Sequence, residues 1–182
     1  DAQRARELVR GLPEGDLKPQ WAIGLLTEFD NPLTDTPTRY ARRTARVDGV
    51  PRYRDLELFR RQVRWAARNC GVIDPSRLEE YLARGGYVAL HRALRKLPPE
   101  TIIAEVTRSG LRGRGGAGFP TGKKWEVIRQ QAATPKYIIC NGDEGDPGAY
   151  MDRAVLEGDP HSVVEGMLIG AFAMGASEGI VY

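Results

Sequence analysis

The stretch Tyr137-Ile138-Ile139-Cys140-Asn141-Gly142 places a compact apolar run directly before a turn-forming pair. A run of this length between turn formers is typical of a buried parallel strand. Asp159-Pro160 then supplies an N-cap and a first-position proline for a helix that should end at Gly175. A second β-prone run follows at Ile180-Val181-Tyr182. Strand, helix and strand together predict a βαβ unit with a right-handed crossover, and hence an α/β fold.

Upstream of this unit the pattern predicts short helices. Prolines between residues 13 and 51 leave room only for an extended arm with brief helices. Apolar residues recur at helical spacing from Leu56, which predicts a helix ending near Cys70-Gly71. Further helices are predicted over 76–83, over 87–95, from Pro99 to Ser109-Gly110, and around 124–131. We therefore divide the chain into an N-terminal arm or linker (1–55), a helical region (56–98) and the first part of an α/β domain (99–182).

Charge is distributed unevenly along the chain. The formal net charge is +3, and arginines cluster on the N-terminal side, at positions 39, 42, 43, 46, 52, 54, 60, 61, 64 and 68. Such a cluster suits nucleic acid or an acidic protein partner. Because no nucleic-acid-binding motif accompanies the charge, we predict a solvated arm that faces a protein partner and binds no nucleic acid.

The cysteine pattern argues against a metal or cluster site, and the hydropathy pattern argues against a membrane-spanning segment. Cys70 and Cys140 form no C-x-x-C motif, so we predict buried small side chains instead of a metal or cluster site. No run approaches the roughly 18 apolar residues that span a bilayer, and the N-terminus has no signal-segment pattern. We expect a cytoplasmic protein without direct membrane insertion. The missing initiator Met and the strand-like last residues further predict a fragment of a longer chain.

A glycine-rich loop lies between two predicted helices. Gly113-Arg114-Gly115-Gly116-Ala117-Gly118 matches G-x-G-x-x-G, but the dinucleotide fingerprint must follow a strand, and residues 102–111 have a helical pattern. A Walker loop is excluded because Ala117 and Lys124 stand where a glycine and a hydroxyl are required. Closely spaced glycines let backbone N–H groups approach an anion or a flat ring, and Arg114, Lys123 and Lys124 add positive charge. The loop predicts a site for a phosphate-bearing cofactor; the alternative is a flexible hinge between two helices.

Acidic and amide side chains follow the predicted strand, at Asn141, Asp143, Glu144, Asp146 and Asp152. The carboxyl end of a strand is the usual ligand position in an open parallel sheet. Clustered carboxylates suit Mg²⁺ or Ca²⁺, although the calcium-loop spacing is absent. The same residues suit a solvated turn, or a concave site that pairs with the polar edge of a heterocycle and with sugar hydroxyls. All three interpretations stay open at this point.

Three motifs in order carry a family resemblance. They are the glycine-rich segment 109–125, the loop 140–153, and Glu157-Gly158-Asp159-Pro160-His161. Together they resemble the family of FMN- and NADH-binding subunits of respiratory complex I and of soluble NAD(P)-linked hydrogenases, over residues 60–182. The segment Asn141-Gly142-Asp143-Glu144-Gly145-Asp146-Pro147 is more similar to the hydrogenase-linked and bifurcating members, because a serine commonly follows the glutamate in complex I.

The resemblance implies a Rossmann-like FMN-binding domain, a parallel sheet with flanking helices, incomplete at its C-terminus. By motif position, the residues that would face FMN are Gly113, Arg114, Gly115, Gly116, Ala117 and Lys124, with Asn141, Asp143 and Glu144 along its ribityl chain and ring. Phe119 would stack on the adenine of the nucleotide, and Lys124 would lie near bound NAD(P)H. Gly145 and Asp146 depart from the serine and glutamate of complex I on the nicotinamide side. His161, in a helix first turn, is expected to be structural.

The implied activity is electron entry into a larger complex. Hydride would pass from the nicotinamide to the flavin and single electrons would leave to iron-sulfur clusters, with no catalytic side chain and no metal site in this chain. The expected partners are a thioredoxin-like 2Fe-2S subunit and further iron-sulfur or hydrogenase-type subunits. The family's 4Fe-4S cysteine motif and glutamate-rich nicotinamide loop would lie beyond Tyr182. The alternative function is a non-catalytic nucleotide- or partner-binding scaffold.

Overall fold

The computed structural model describes residues 49–51 and 55–182, together with residue 3 and the backbone of two short strands. It divides the chain into two compact units, Asp1–Trp65 and Ala66–Tyr182. In the first unit β1 (Phe29–Asp30) pairs antiparallel with β2 (Pro37–Thr38), and α1 spans Glu57–Arg60. Most of the N-terminal arginine cluster lies outside the described residues. The boundaries predicted at residues 55 and 98 stay predictions.

The helix predicted over 56–70 is wrong in length, because α1 ends at Arg60. The Gln62 side chain donates through Nε2 to the Leu58 carbonyl at 2.7 Å, in place of the backbone bond that a longer helix would make. Trp65, one of the aromatic residues of this segment, is 80% exposed. Because most helical stability in proteins comes from burying one face, apolar periodicity alone does not extend α1.

The second unit contains most of the described secondary structure. In chain order its elements are α2 (Leu78–Ala83), α3 (Val88–Lys96), α4 (Pro99–Arg108), α5 (Thr121–Gln130), β3 (Tyr137–Cys140), α6 (Met151–Gly158), α7 (Pro160–Met174) and β4 (Glu178–Val181). The four helices predicted between residues 76 and 131 are confirmed as α2 to α5, with ends that differ by a few residues. Helix α6 was not predicted. None of the helices in the described part of the chain has the length and apolar character needed to cross a bilayer.

The predicted parallel strand pair is confirmed, and with it the α/β fold class. Strand β3 lies parallel to β4, with Tyr137 opposite Glu178 and Cys140 opposite Val181. The strand predicted to be buried is only half covered, since Ile139 is 61% exposed whereas Ile138 is partly buried. Ile138 reaches α7, which covers one face of this two-stranded sheet.

The apolar core lies where α3, α4, α5 and α7 meet. Its buried side chains are Ala93, Ile102, Ile103 and Ala173, against which Leu97, Trp125, Ile169 and Phe172 pack. Two glycines allow the close approaches around this core. A Cβ on Gly122 in α5 would lie 2.7 Å from the backbone nitrogen of Thr107 in α4. A Cβ on Gly170 in α7 would lie 2.8 Å from Ile138 Cδ1 and 3.2 Å from Trp125 Cζ2. Because glycine has no side chain, Gly122 allows α4 and α5 to approach closely, and Gly170 allows α5 and β3 to approach α7.

Asp159 occupies the predicted N-cap position of α7, but its carboxylate makes no capping bond. The fully buried carboxylate instead accepts from Asn69 Nδ2 at 2.7 Å, and Asn69 Oδ1 accepts from Arg84 Nε at 2.5 Å. A buried charge requires such polar partners, which a helix start alone does not supply. The start of α7 is satisfied through the Asp159 carbonyl, to which Ser162 donates from both its amide and its hydroxyl. The second carboxylate oxygen of Asp159, Oδ1, has no hydrogen-bond partner among the described residues.

A second buried carboxylate, Glu165 of α7, holds the start of α3. It accepts from the Tyr81 hydroxyl, from the Tyr87 amide at 2.9 Å and from the Leu90 amide at 3.1 Å. Burial, and then the hydrogen bond to Glu165, raise the pKa of Tyr81, so its hydroxyl stays a donor. His161 stacks on Tyr81 with ring centroids 5.5 Å apart, and its Nδ1 lies 3.0 Å from the Tyr87 hydroxyl. These contacts agree with the structural role expected for His161.

We predict that Gly122→Ala destabilises the full-length protein by about 1–3 kcal/mol, because the new methyl group would meet Thr107 backbone atoms that cannot rotate away. Gly166→Ala is the matched control, since a Cβ on this exposed α7 residue meets no atom within 4 Å. It should be neutral or stabilise by up to about 1 kcal/mol through helix propensity. Urea unfolding of both variants measures the difference. Equal stabilities would contradict the assigned contact between α4 and α5.

Candidate functional site

The glycine loop connects α4 to α5, and hydrogen bonds between its two arms close it at the base. Gly113 N donates to the Phe119 carbonyl and Thr121 N donates to the Leu111 carbonyl, each at 2.9 Å. An antiparallel bridge between Arg112 and Pro120 lies between these two bonds. The loop follows a helix, as predicted, so it lacks the strand that opens a dinucleotide fingerprint.

The tip of this loop, residues 114–117, is exposed to solvent. Gly116 has φ +101° and Gly118 has φ +59°, which favour glycine at both positions. No atom lies within 4 Å of a Cβ built on Gly115 or Gly116, so the backbone here is open to a ligand. Phe119, two residues after the tip, is 54% exposed.

The cations predicted around the loop differ in their availability. Lys123 pairs with Glu126 at 2.8 Å, so much of its charge is locally balanced. Arg114 folds one guanidinium nitrogen back to the Arg112 carbonyl at 3.0 Å. Lys124 is exposed and makes no ion pair with any other residue between 55 and 182. Lys124 is therefore the cation of the three that is best placed to attract an anion.

The acidic loop after β3 is locally ordered by its own side chains. Asn141 Oδ1 accepts from the Asp143 amide at 3.0 Å, which leaves the Asn141 amide group able to donate. The Ala149 amide donates to the Asp146 carbonyl at 3.2 Å. Gly145 and Asp146 are exposed. Within the described residues no group of three or more His, Cys, Asp or Glu side chains is arranged to hold a metal ion.

Glu144 has a role that sequence reasoning missed. Its carboxylate accepts from the first amides of α6, those of Met151, Asp152 and Arg153, at 2.7, 3.0 and 3.1 Å. Loss of hydration opposes ionisation, but these three bonds outweigh it and lower the pKa of Glu144. The capping glutamate stands seven residues before the first helical residue, so neither capping-box spacing nor a local N-cap indicates α6.

The two loops share one scaffold, and no hydrogen bond or ion pair among the described residues joins them. Helix α5, which follows the glycine loop, and β3, which precedes the acidic loop, both reach Gly170 of α7 through Trp125 and Ile138. No hydrogen bond or ion pair joins residues 111–124 to residues 141–149 in the described part of the chain. The structure therefore orders each loop separately.

A cavity of about 670 Å³ lies between α4 and α5. It is lined by Glu100, Ile103, Ala104, Thr107, Arg108, Glu126, Arg129 and Gln130. None of the residues predicted to bind a cofactor lines it. Arg129 and Glu100 form an ion pair across it at 2.5 Å.

We predict that Glu144→Ala makes the Met151, Asp152 and Arg153 amides exchange with deuterium severalfold faster at neutral pH, because α6 loses the acceptor at its N-terminus. Glu157→Ala is the matched control, since among the residues that the structure describes this α6 carboxylate bonds the Arg153 side chain and no backbone amide. Hydrogen exchange resolved by residue measures both. Unchanged exchange in Glu144→Ala would contradict the capping role.

The same cap should depend on pH in the unmodified protein. Because the folded pKa of Glu144 is lowered, the stabilisation is complete above the pKa of the unfolded chain and is lost as pH falls through the lower folded pKa. Protection of the α6 amides should therefore decline only below the ordinary glutamate range. A decline near pH 6 would assign the effect to another group.

Comparison with known proteins gives a consistent result. Residues 106–182 match the model of the Nuo51 FMN-binding domain. The chain is 57% identical over 123 residues to the NADP-reducing hydrogenase subunit HndC of Solidesulfovibrio fructosivorans, covering 68% of this chain and 25% of that protein. It is 50% identical over 115 residues to an NADH-quinone oxidoreductase subunit of Rhizobium meliloti, covering 63% of this chain and 27% of that protein.

Among solved structures, an NAD⁺-reducing [NiFe]-hydrogenase in the H₂-reduced state is similar, with 47% identity and a TM-score of 0.45. The match covers 47% of this chain and 15% of the hydrogenase chain. The chain spans about a quarter of the length of the curated relatives it matches.

Proposed function

Because residues 106–182 belong to the family of Nuo51 FMN-binding domains, we propose that this chain binds FMN and forms the electron-entry part of an NAD(P)H oxidoreductase. The observation that carries the proposal is an open glycine loop and a strand-end acidic loop built on the same α/β scaffold. The names of the relatives, an NADP-reducing hydrogenase subunit and an NADH-quinone oxidoreductase subunit, support the same activity. The activity is proposed for the whole protein, of which these residues supply the flavin-facing loops.

The glycine loop fits a flat ring or a phosphate. A Cβ built on Gly115 or Gly116 in its tip meets no atom within 4 Å, and Lys124 supplies a positive charge. Backbone N–H groups without an adjacent Cβ can approach an anion closely. We propose that FMN lies against Gly113, Arg114, Gly115, Gly116, Ala117 and Lys124, and that Phe119 stacks on the adenine of NAD(P)H.

The acidic loop supplies polar groups for the sugar chain and ring. The amide group of Asn141 and the carboxylate of Asp143 suit hydroxyls and ring N–H groups. The Glu144 carboxylate is held by α6, so we propose that Glu144 faces the cofactor through its backbone. Gly145 and Asp146 complete the proposed set on the nicotinamide side.

Bound FMN supplies the hydride and single-electron chemistry that side chains of this chain cannot perform. The protein's part is to hold the two loops in fixed positions and to keep cations and amide donors beside the phosphate. The electron acceptors are proposed to be iron-sulfur clusters of a multi-subunit complex, including a thioredoxin-like 2Fe-2S subunit. No acid, base or nucleophile is required of the loop residues.

Purified full-length protein tests the proposal against a non-catalytic scaffold. We expect a yellow protein that absorbs at about 450 nm, as flavins do, and that bleaches when NADH or NADPH is added without oxygen. Protein that is colourless and takes up no FMN on reconstitution would overturn the proposed function. Flavin that resists both nucleotides would leave FMN binding in place and overturn the electron-entry role.

We predict that Gly116→Val abolishes flavin retention, because a branched side chain at φ +101° is strained and occupies the open face of the loop. Gly175→Val is the matched control: this residue ends α7 with φ +77° and a Cβ there meets no atom within 4 Å. Both variants should melt earlier, but only Gly116→Val should be purified without flavin. Flavin occupancy is measured by absorbance after gel filtration, and equal occupancy would contradict the loop assignment.

A further inference from the structure

Arg112 joins the two arms of the glycine loop twice. Its backbone forms the bridge to Pro120, and its side-chain Nε donates to the Gly118 carbonyl at 2.6 Å. A Cβ built on Gly118 would lie 3.6 Å from the same Nε, so the side chain is in van der Waals contact with this residue. Arg112 lies within the glycine-rich motif at 109–125 but was not among the residues predicted to face a cofactor.

The tip that Arg112 spans has little other support. Cβ atoms on Gly115 and Gly116 would meet nothing within 4 Å, so the tip is not packed against the domain. Glycine-rich backbone loses much conformational entropy when it is held in one geometry. Within residues 111–121, two side-chain bonds oppose this freedom, namely Arg112 to the Gly118 carbonyl and Arg114 to the Arg112 carbonyl.

The bond to the Gly118 carbonyl also orients the next amide. A peptide unit is planar and trans, so its N–H points away from its C=O. With the Gly118 carbonyl held by Arg112, the Phe119 N–H is directed to the opposite side of the loop. The Phe119 carbonyl is fixed separately by the Gly113 amide, so this residue is held on both sides.

We propose that Arg112 is a positioning residue that closes the glycine loop and sets the direction of the 118–119 peptide and of Phe119. The inference rests on the proposed FMN site, because the loop is ordered for that ligand. Arg112 acts here through its hydrogen bond to the backbone carbonyl of Gly118 and not through contact with phosphate. A purely electrostatic role would need only the positive charge. The closure of the loop by the bond from Arg112 Nε to the Gly118 carbonyl, here called the latch, needs the guanidinium Nε at its observed position.

The test uses full-length protein with Arg112→Ala, Arg112→Lys and the control Arg95→Ala, an exposed arginine of α3. Apoprotein of each is titrated with FMN, and NADH:ferricyanide kinetics are measured at saturating FMN. We expect Arg112→Ala and Arg112→Lys both to raise the FMN Kd about fivefold, in the range of one lost hydrogen bond. The KM for NADH should rise by a similar factor through Phe119, while kcat stays within about twofold. Arg95→Ala should match the unmodified protein.

The titration results distinguish failure of the proposed FMN-binding function from failure of the proposed role of Arg112. If unmodified protein binds no FMN, the proposed function fails. If it binds FMN and Arg112→Ala binds equally well, the latch alone is overturned. Arg112→Lys with unmodified affinity beside a weak Arg112→Ala would assign a charge effect and likewise overturn the latch. If Arg112→Ala fails to fold, Arg112→Lys decides the question, and thermal melting of the apoproteins shows whether the fold is intact.

Discussion

The contact between Gly122 and Thr107 fixes where the glycine loop begins and ends. Thr107 lies in the last turn of α4 and Gly122 in the first turn of α5, so their backbones meet directly below the loop. A loop whose ends are pinned in this way needs few bonds of its own, and the open tip can remain free of packing. The exposed glycine backbone that suits a ligand thus depends on a glycine that is itself buried.

Helix α7 supports both candidate loops and the helices that precede them in the chain. Its middle, at Gly170, receives Trp125 from α5 and Ile138 from β3, and its first turns hold two buried carboxylates. Asp159 connects to Asn69, and Glu165 connects to the start of α3. Apolar contact therefore aligns the two candidate loops, while polar contact attaches the preceding helices to the same element.

Sequence reasoning succeeded where the signal was local. The strand at 137–140, the proline start of α7 and the cap at Gly175 each follow from adjacent residues. It failed where the deciding contact was remote. In the helix predicted over 56–70, Val63 and Trp65 beyond α1 are exposed, and the Asp159 carboxylate bonds Asn69, ninety residues away in the chain. The predicted cofactor residues lie on the two loops, apart from Lys124 in the first turns of α5, but only the structure shows that Glu144 serves α6.

Two helices of this unit begin in the same unusual way. Tyr87 before α3 and Tyr150 before α6 are non-glycine residues in the left-handed region, and a glutamate from outside each helix accepts its first amides. The glutamate of α6 is seven to nine residues away, whereas that of α3 is 75 to 78 residues away. Closing the longer loop costs more chain entropy, so we expect the start of α6 to form early in folding and the start of α3 only when α7 docks. The Leu90 amide then reports the docking of α7 during refolding. The Met151 amide reports the earlier formation of the start of α6.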